Sequence, residues 1–526
     1  VTPTELVTGM GVRAPGSVTG SPGLQARWLG RVRYRDAYAL QRALFLRAAD
    51  PYLLLLEHHP VYTVGLRGRL DHLRVPVEEL GAEVVHTDRG GDVTWHGPGQ
   101  LVGYPILSVA DSPKDYVHAV EQLVIEVGAA LGLPGLHRVD GTPGVWAGDR
   151  KICAVGVRRS RGRTMHGFAL NVDPDLSWFD RIVPCGLDKE VTSLAAEGGQ
   201  VDMQTVVDAV VDAAARRWGG GRARRVDVSW ARETPTGLPV ATRKPEWLRV
   251  KADLGEGYRD VKRTMRSLKL VTVCEEAGCP NIFECWRDGT ATFMINGDRC
   301  TRACGFCQVD TRKPLAADPD EPERLAEAVA EMGLAHAVIT AVARDDLPDS
   351  GAGGFAEAIR AVRRRCPGTA VEVLVPDCKG DPQALATIFD ARPDVLNHNL
   401  ETVARLQRHV RPSASYARSL AVLGRAAAAG LVTKSGLILG LGETEDEVVA
   451  AMADLHAVGT SILTLGQYLR PSADHLPVVR WWTPAEFDRL AATGRALGFA
   501  HVEASPLTRS SYHARQAAAG VATSSV

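Results

Sequence analysis

Apolar positions along the chain follow two different patterns. From about residue 24 to 218, short strand-like runs are mixed with longer helical ones. "YLLLLEHHPVYTVG" predicts strand, turn and strand. "QLVGYPIL" and "GVWAGDRKICAVGVRR" are strand-like, the second with a turn at Gly148-Asp149. "DYVHAVEQLVIEVGAALGL" and "MQTVVDAVVDAAARRWG" repeat apolar residues at helical spacing, and each ends at a glycine. This mixture predicts an α+β unit built on a mixed sheet.

From about residue 245 to 526 the pattern is more regular. Strand-like runs "ATFMING", "HAVITAV", "AVEVLVPD", "VLNHNLE", "TKSGLILGLGE", "SILTLGQYL" and "AHVEASP" follow in order. Helical runs "GFAEAIRAVRRRC", "DPQALATIFD", "YARSLAVLGRAAAAG", "TEDEVVAAMADLHAVG" and "TPAEFDRLAATGRALG" alternate with them. Alternation of this kind implies parallel β/α units and a partial or complete β/α barrel. Chemistry in barrels sits where strands end. Asp377, Asn397, Asn399, Glu401, Glu443 and Gln467 fall at such ends, where they either line a cavity or cap turns. The G-x-G in "GLILGLGETEDE" is a weak nucleotide signal that a tight strand-to-helix turn explains equally well.

Between the two patterns, residues 219–244 are rich in Gly, Pro, Arg and Thr, the composition of a linker. Residues 1–23 have neither a basic region nor an apolar stretch and are expected to be a disordered leader. The expected organisation is therefore leader 1–23, first unit 24–218, linker 219–244 and second unit 245–526.

Composition narrows the function. The 526 residues carry a net charge of -1, so no overall field favours nucleic acid or membrane. No apolar run approaches the ~20 residues that span a bilayer. Ten cysteines without a secretory signal argue against a disulfide framework and for a reducing, cytoplasmic setting. Six of them form two trios, Cys274, Cys279 and Cys285, then Cys300, Cys304 and Cys307. The second trio, C-x-x-x-C-x-x-C, lets one loop wrap three corners of an iron–sulfur cube. Zinc is the competitor, but zinc spacings come as pairs separated by a longer gap. Cys153, Cys185, Cys366 and Cys378 are scattered, and a lone cysteine is most simply a small buried hydrophobe.

The motif "CTRACGFC", following a strand, resembles the radical S-adenosylmethionine enzymes. That resemblance implies a 4Fe–4S cluster on Cys300, Cys304 and Cys307, with S-adenosylmethionine chelating the remaining iron. The longer series "CEEAGCPNIFECW", "ARDDLPDSGAGGF", "VLNHNLETV", "LTLGQYLRPSADHLPV" and "RSSYHA" resembles lipoyl synthase over almost all of the second unit. This likeness implies a second, auxiliary 4Fe–4S cluster held by Cys274, Cys279, Cys285 and Ser511. It further implies two sulfur insertions, at C6 and C8 of a protein-bound octanoyl chain, with the auxiliary cluster consumed as the sulfur source. A hydroxyl is a poorer match to iron than a thiolate, so a Ser511 corner would open more easily.

In the first unit, "DRGGDVTWHGPGQLVGYPI", "GVWAGDRKICAVGV", "HGFALNVDPDLSWFDRIVPCGL" and "VTSL" resemble lipoyl(octanoyl) transferase, of the biotin and lipoate ligase fold superfamily. The resemblance implies Cys185 as nucleophile and Lys151 as its partner. It places Arg89, Gly90, Gly91, Asp92, Val93, Thr94, Trp95 and His96 along the acyl site, with Ala154, Val155, Gly156 and Gly167, Phe168, Ala169 as further substrate segments. Cys153, two residues after Lys151, is unusual and is expected to be packing.

The joint expectation is an α+β biotin/lipoate ligase-like N-terminal domain and an α/β radical-SAM partial (β/α) barrel C-terminal domain. Octanoyl-acyl carrier protein would donate the acyl group. Lipoyl domains of 2-oxoacid dehydrogenase E2 subunits and the glycine cleavage H protein would receive it, and an electron donor would drive sulfur insertion. An ATP-dependent lipoate ligase and a non-catalytic iron–sulfur carrier are the rival readings.

Overall fold

A computed structural model describes residues 23–183, 189–199, 202–230, 244–248, 263, 271–272, 281–287 and 290–524. Cys185, Cys274, Cys279, the expected leader up to residue 22 and linker residues 231–243 lie outside the described residues.

The first unit runs β1 (Leu24–Val32), α1 (Tyr34–Arg47), β2 (Tyr52–His58), β3 (Val61–Val64), β4 (Glu83–His86), β5 (Val93–His96) and β6 (Gln100–Ile106). It continues with α2 (Pro113–Ala130), β7 (Leu136–Val139), β8 (Thr142–Ala147), β9 (Arg150–Ser160), β10 (Arg163–Asn171), α3 (Met203–Trp218) and β11 (Ala223–Asp227). Eight of the strands form one mixed sheet in the order β11-β1-β2-β6-β10-β9-β8-β7, and β4-β3-β5 form a small second sheet. The leucine run of β2 follows from its central place. Leu53 and Leu55 pack beneath α2 and α3, while Leu54 and Leu56 face the α1 side. With both faces buried, the polar alternation of a surface strand disappears. Local chemistry sets the helix starts: Ser112 caps α2 by accepting from the Asp115 N–H, and Asp202 caps α3 by accepting from Thr205. β11 pairs in parallel with β1, so the segment expected to be linker from 219 onward still belongs to this sheet at Ala223–Asp227.

The second unit runs β12 (Val271–Thr272), α4 (Ile282–Arg287), β13 (Thr290–Ile295), α5 (Glu321–Glu331), β14 (His336–Ala341), α6 (Ala352–Arg365), β15 (Ala370–Leu374), α7 (Pro382–Asp390) and β16 (Val395–Asn397). There follow α8 (Gln407–Val410), α9 (Tyr416–Ala428), β17 (Val432–Leu439), α10 (Glu445–Ala457), β18 (Ile462–Gln467), α11 (Pro484–Leu497), β19 (His501–Ala504) and α12 (Ala514–Ser524). The sheet order is sequential from β12 to β19, with β13 through β19 parallel and β12 antiparallel at one edge. Among the described residues no pairing joins β19 back to β12 or β13, so the β/α structure is a partial barrel.

The two units share one core. Leu40, Ala43 and Leu44 of α1 pack in the same apolar cluster as Leu420, Leu423 and Leu455 of the second unit. A Cβ on Gly424 would come within 2.6 Å of the Ala43 Cβ, so the helices touch backbone to side chain at that point. Arg27 on β1 meets Asp454 on α10 at 2.9 Å, both fully buried. The hydroxyls of Tyr52 and Tyr416 donate to the same carboxylate at 3.1 and 2.9 Å. Burial works against a charged Arg27, but Asp454 outweighs it and holds the guanidinium more firmly protonated than usual. No helix among the described residues is long and apolar enough to cross a membrane.

Candidate active sites

In the first unit the loop after β4 brings the RGGD segment against β9 and β10. A cavity opens there, lined by Tyr34, Arg89, Gly90, Gly91, Thr94, His96, Val102, Tyr104, Ala154, Val155, Gly156, His166, Gly167, Phe168 and Ala169. Three sequence segments therefore converge on one space, and all six residues expected from Ala154–Gly156 and Gly167–Ala169 line it. The Arg89–His96 segment does so only in part. Along β5 successive side chains alternate, so Thr94 and His96 face the cavity while Val93 and Trp95 turn away. Trp95 instead stacks on Trp178 with centroids 5.6 Å apart. Asp92 is taken up by the Val93 N–H at 2.7 Å, the Arg69 N–H at 3.2 Å and a hydrogen bond with the His72 ring. Asp92, Val93 and Trp95 thus support the loop rather than line the cavity.

Arg89 also shapes the loop. Its guanidinium donates to the Thr63 and Asp92 carbonyls, both at 2.7 Å. His96 is held by Gln100 Oε1 at 2.7 Å, and burial pulls its pKa well below the ordinary value, so it presents a neutral ring. His58 behind it bonds the Tyr104 hydroxyl at 2.7 Å and is lowered to about 4 by burial. His166 bonds Asp88 at 2.8 Å, a pair that residue spacing did not reveal. The cavity wall thus combines small and apolar residues with the rings of Tyr34, His96, Tyr104, His166 and Phe168 and with the Arg89 guanidinium.

Lys151 is buried on β9 but is not among the lining residues. Its Nζ donates to the Pro143 carbonyl at 3.1 Å and lies 4.9 Å from the centre of the Trp146 ring. The Lys151 N–H donates to the Glu190 carbonyl and its carbonyl accepts from Thr192, both at 2.9 Å. The chain just after Cys185 is therefore fastened to the Lys151 backbone, and Lys189 lies over the same Trp146 ring at 5.4 Å. Cys153 is fully buried and its thiol is pushed far up by burial, which makes it packing.

In the second unit the loop following β13 carries Cys300, Cys304 and Cys307, all half-buried. Its shape is set by backbone bonds: Cys300 N–H to Asp310 at 2.8 Å, Cys307 N–H to Cys304 at 3.1 Å, and Gly305 N–H to Val410 at 2.9 Å. Gly305 lets the loop pack closely on Leu476, whose side chain would have to shift from a Cβ placed there, 2.7 Å away. His475 bonds the Cys307 carbonyl at 3.1 Å. Among the described residues no group of three His, Cys, Asp or Glu side chains closes on one metal ion. A four-iron cube binds each thiolate through a different iron, so its ligands stand further apart than those of a single ion. The donor type suits such a cube, since thiols are its soft ligands, and Cys304 and Cys300 lie close enough to Cys307 to add to the upward shift that burial gives its thiol.

Of the polar residues expected at strand ends, Glu443 and Gln467 are structural. Glu443 accepts from the Leu441 N–H and the Trp482 indole at 2.9 and 2.8 Å, and Gln467 accepts from the Trp482 N–H at 2.9 Å. Asn397 donates to Glu372 deeper in the sheet, at 3.4 Å. Glu401 lies near the cysteine loop with a left-handed backbone, φ 67°. Burial raises its carboxyl and Arg411 opposes the shift. Asp377 is fully buried between Arg302 and Arg418.

The other cysteine trio is described only at Cys285, half-buried on α4. This helix lies against the chain approaching α12. Asn281 donates to the Leu507 carbonyl at 2.7 Å, Tyr512 donates to Glu284 at 3.1 Å, and His513 pairs with Glu284 at 3.5 Å. The residues beside Cys285 and beside Ser511 are thereby brought together.

Comparison with known proteins fits this geometry. Residues 231–279 match the N-terminal domain of lipoyl synthase of the radical SAM family, and residues 294–455 match the radical SAM superfamily. "Lipoyl synthase" of Rubrobacter xylanophilus is 58% identical over 275 residues, 52% of this chain and 86% of that protein. The chain belongs to the lipoyl synthase family. The lipoyl synthase of Mycobacterium avium is 57% identical over 280 residues, again 52% of this chain, and 91% of that protein. Ahead of its lipoyl synthase unit the chain carries a lipoyl protein ligase A/B catalytic domain, matched over residues 33–215. It is a fusion of the two. A solved lipoate-protein ligase A bound with ATP overlaps 39% of this chain and 89% of its own, with 17% identity and a TM-score of 0.34.

Proposed function

We propose that this chain performs two successive steps of lipoyl assembly. The first unit moves an octanoyl group from acyl carrier protein to a lysine of a lipoyl domain, through a thioester on Cys185. The second unit inserts sulfur at C6 and C8 of that chain. The single observation that carries the first half is the fastening of residues Glu190 and Thr192 to the Lys151 backbone. It supports a meeting of Cys185 with the Lys151 ammonium, which would favour the thiolate and hold the proton passed between thiol and amine. Cys185 Sγ would attack the octanoyl carbonyl and release the carrier thiol. The lysine amine of the lipoyl domain would then attack the thioester and release Cys185. The aromatic cavity beside β9 and β10 would hold the alkyl chain away from water.

In the second unit, Cys300, Cys304 and Cys307 would hold one 4Fe–4S cluster, and Cys274, Cys279, Cys285 and Ser511 the other. When bound, these groups supply the reductive cleavage of S-adenosylmethionine and the sulfur. The protein's own residues position the loop, exclude water and keep stray hydrogen donors from the substrate. The proposed acceptors are the lipoyl domains of 2-oxoacid dehydrogenase E2 subunits and the glycine cleavage H protein, with a separate electron donor.

Intact-protein mass spectrometry tests the first step. Incubation with octanoyl-acyl carrier protein and no ATP should add one octanoyl group, removable by hydroxylamine and absent in Cys185→Ala. Transfer to a lipoyl domain that persists in Cys185→Ala, or that requires ATP, would show a ligase instead.

A further inference from the structure

An ionic chain crosses from the first unit to the cysteine loop of the second. Arg302 lies between Cys300 and Cys304 and grips Asp345 with two bonds, at 2.7 and 2.9 Å. The same guanidinium reaches Asp377 at 2.6 Å. The other oxygen of Asp377 meets Arg418 of α9 at 3.4 Å. Arg418 then reaches Asp36 of α1 at 3.1 Å, and Arg425 lies 3.6 Å from the same carboxylate. Asp36, Asp377 and Arg302 are all buried, so none of these charges can be left to water. Asp36 rests on the backbone of Gly380, where a Cβ would come within 2.4 Å of its oxygen. At one end of the chain the Arg302 N–H points to Cys300 Sγ at 3.4 Å. At the other, Asp36 stands two residues from Tyr34, which lines the first-unit cavity.

We infer that Asp36, a residue of the transferase-like unit, is a positioning residue for the cysteine loop of the lipoyl synthase unit. It fixes Arg418, which keeps the Arg418 contact with Asp377 long, at 3.4 Å, and lets Asp377 orient Arg302 at 2.6 Å and so set the spacing of Cys300 and Cys304. Without the Asp36 charge, Arg418 turns wholly to Asp377 and competes with Arg302 for it. The inference rests on the reading of Cys300, Cys304 and Cys307 as cluster ligands. It makes the lipoyl synthase unit of this fusion dependent on its neighbour for the geometry of its own loop.

The test uses the full chain, reconstituted with iron and sulfide under anaerobic conditions. Electron paramagnetic resonance of the reduced protein is recorded with and without S-adenosylmethionine. The rate at which S-adenosylmethionine is cleaved is followed in parallel over a series of its concentrations. Asp36→Asn should change the line shape on adding S-adenosylmethionine and raise its KM about three- to tenfold, with iron content and octanoyl transfer unchanged. Asp36→Glu should restore part of both. Arg47→Ala, at the far end of α1, should change neither. Arg418→Lys keeps the charge and loses the planar fork, and it should reproduce the spectral change if Asp36→Asn does not accumulate. An unchanged spectrum and KM in Asp36→Asn or Arg418→Lys at full iron content overturns the inference, as does an equal effect of Arg47→Ala. Absence of any cluster signal in the unsubstituted protein overturns the ligand reading and this inference with it.

Discussion

The Tyr512 hydroxyl donates to Glu284 Oε2 at 3.1 Å across 228 residues of sequence. Each partner is the immediate neighbour of a proposed cluster ligand, Ser511 on one side and Cys285 on the other. The bond pins the chain before α12 against α4 and so holds Ser511 and Cys285 in one neighbourhood.

Ser511→Ala should separate the two chemistries of the second unit. The Cys300 loop is untouched, so 5′-deoxyadenosine should still form. Lipoyl product should fall below about one-tenth of the unsubstituted level, because the oxygen corner is lost. Quantifying both products from one anaerobic reaction checks this, and full lipoyl yield would remove Ser511 from the ligand set.

Lys151→Met should slow octanoyl transfer about 100-fold or more, the usual scale for losing a proton-transfer group. The buried aliphatic stem is kept, so the fold around Trp146 should persist. Stopped assays of octanoyl transfer to a lipoyl domain measure it. Lys151→Arg should not rescue, because a guanidinium does not give up its proton at neutral pH.

The Arg27–Asp454 pair should hold the two units together. Arg27→Met strands a buried carboxylate with only two tyrosine hydroxyls, which should cost about 3–5 kcal/mol. Calorimetry should show one cooperative transition for the parent and two separated transitions, or a much lower Tm, for the variant.

Stability should fall on the acid side of neutrality. His58 and His398 are each lowered from 6.5 to about 4, first by burial. The unfolded chain therefore binds more protons than the folded one between those values, and stability is lost as pH falls from about 6.5 to about 4. Each fully lowered histidine accounts for about 3 kcal/mol. Urea unfolding at stepped pH checks the slope, and His58→Gln should flatten part of it.

Much of this fold is legible in the sequence because its strands are repeated and its helices amphipathic. Every strand expected between β13 and β19 is present, and the turn at Gly148-Asp149 sits where its residue types place it. The elements the pattern did not reveal are those whose partners lie far away. β1 mixes Arg27 and Arg31 with aliphatic residues, and the reason for a buried Arg27 is Asp454, 427 positions distant. α1 buries Asp36 for a contact with Arg418 of the second unit and Gln41 for a bond from the His166 N–H, and the two polar residues blur its helical stripe. β11 is short and rich in arginine, so its composition resembles linker. At the sites, alternation along β5 separates Thr94 and His96 from Val93 and Trp95, a division that motif similarity alone does not show.

The shared core also changes what fusion means here. A loose tether would raise only the local concentration of the second site. Packing of α1 on α9 instead holds the first-unit cavity and the cysteine loop in a fixed relation.

Mass spectrometry of a lipoyl domain gives the sharpest test of the two-step reading, after anaerobic incubation with this protein, octanoyl-acyl carrier protein, S-adenosylmethionine and a reductant. An octanoyl adduct should form on one lysine and convert to the dithiol lipoyl form. In Cys185→Ala no adduct should appear, while a lipoyl domain supplied already octanoylated should still gain both sulfurs. A parent protein that leaves the lipoyl domain unmodified, or that stops at the octanoyl form with both clusters present, would refute the two-step reading.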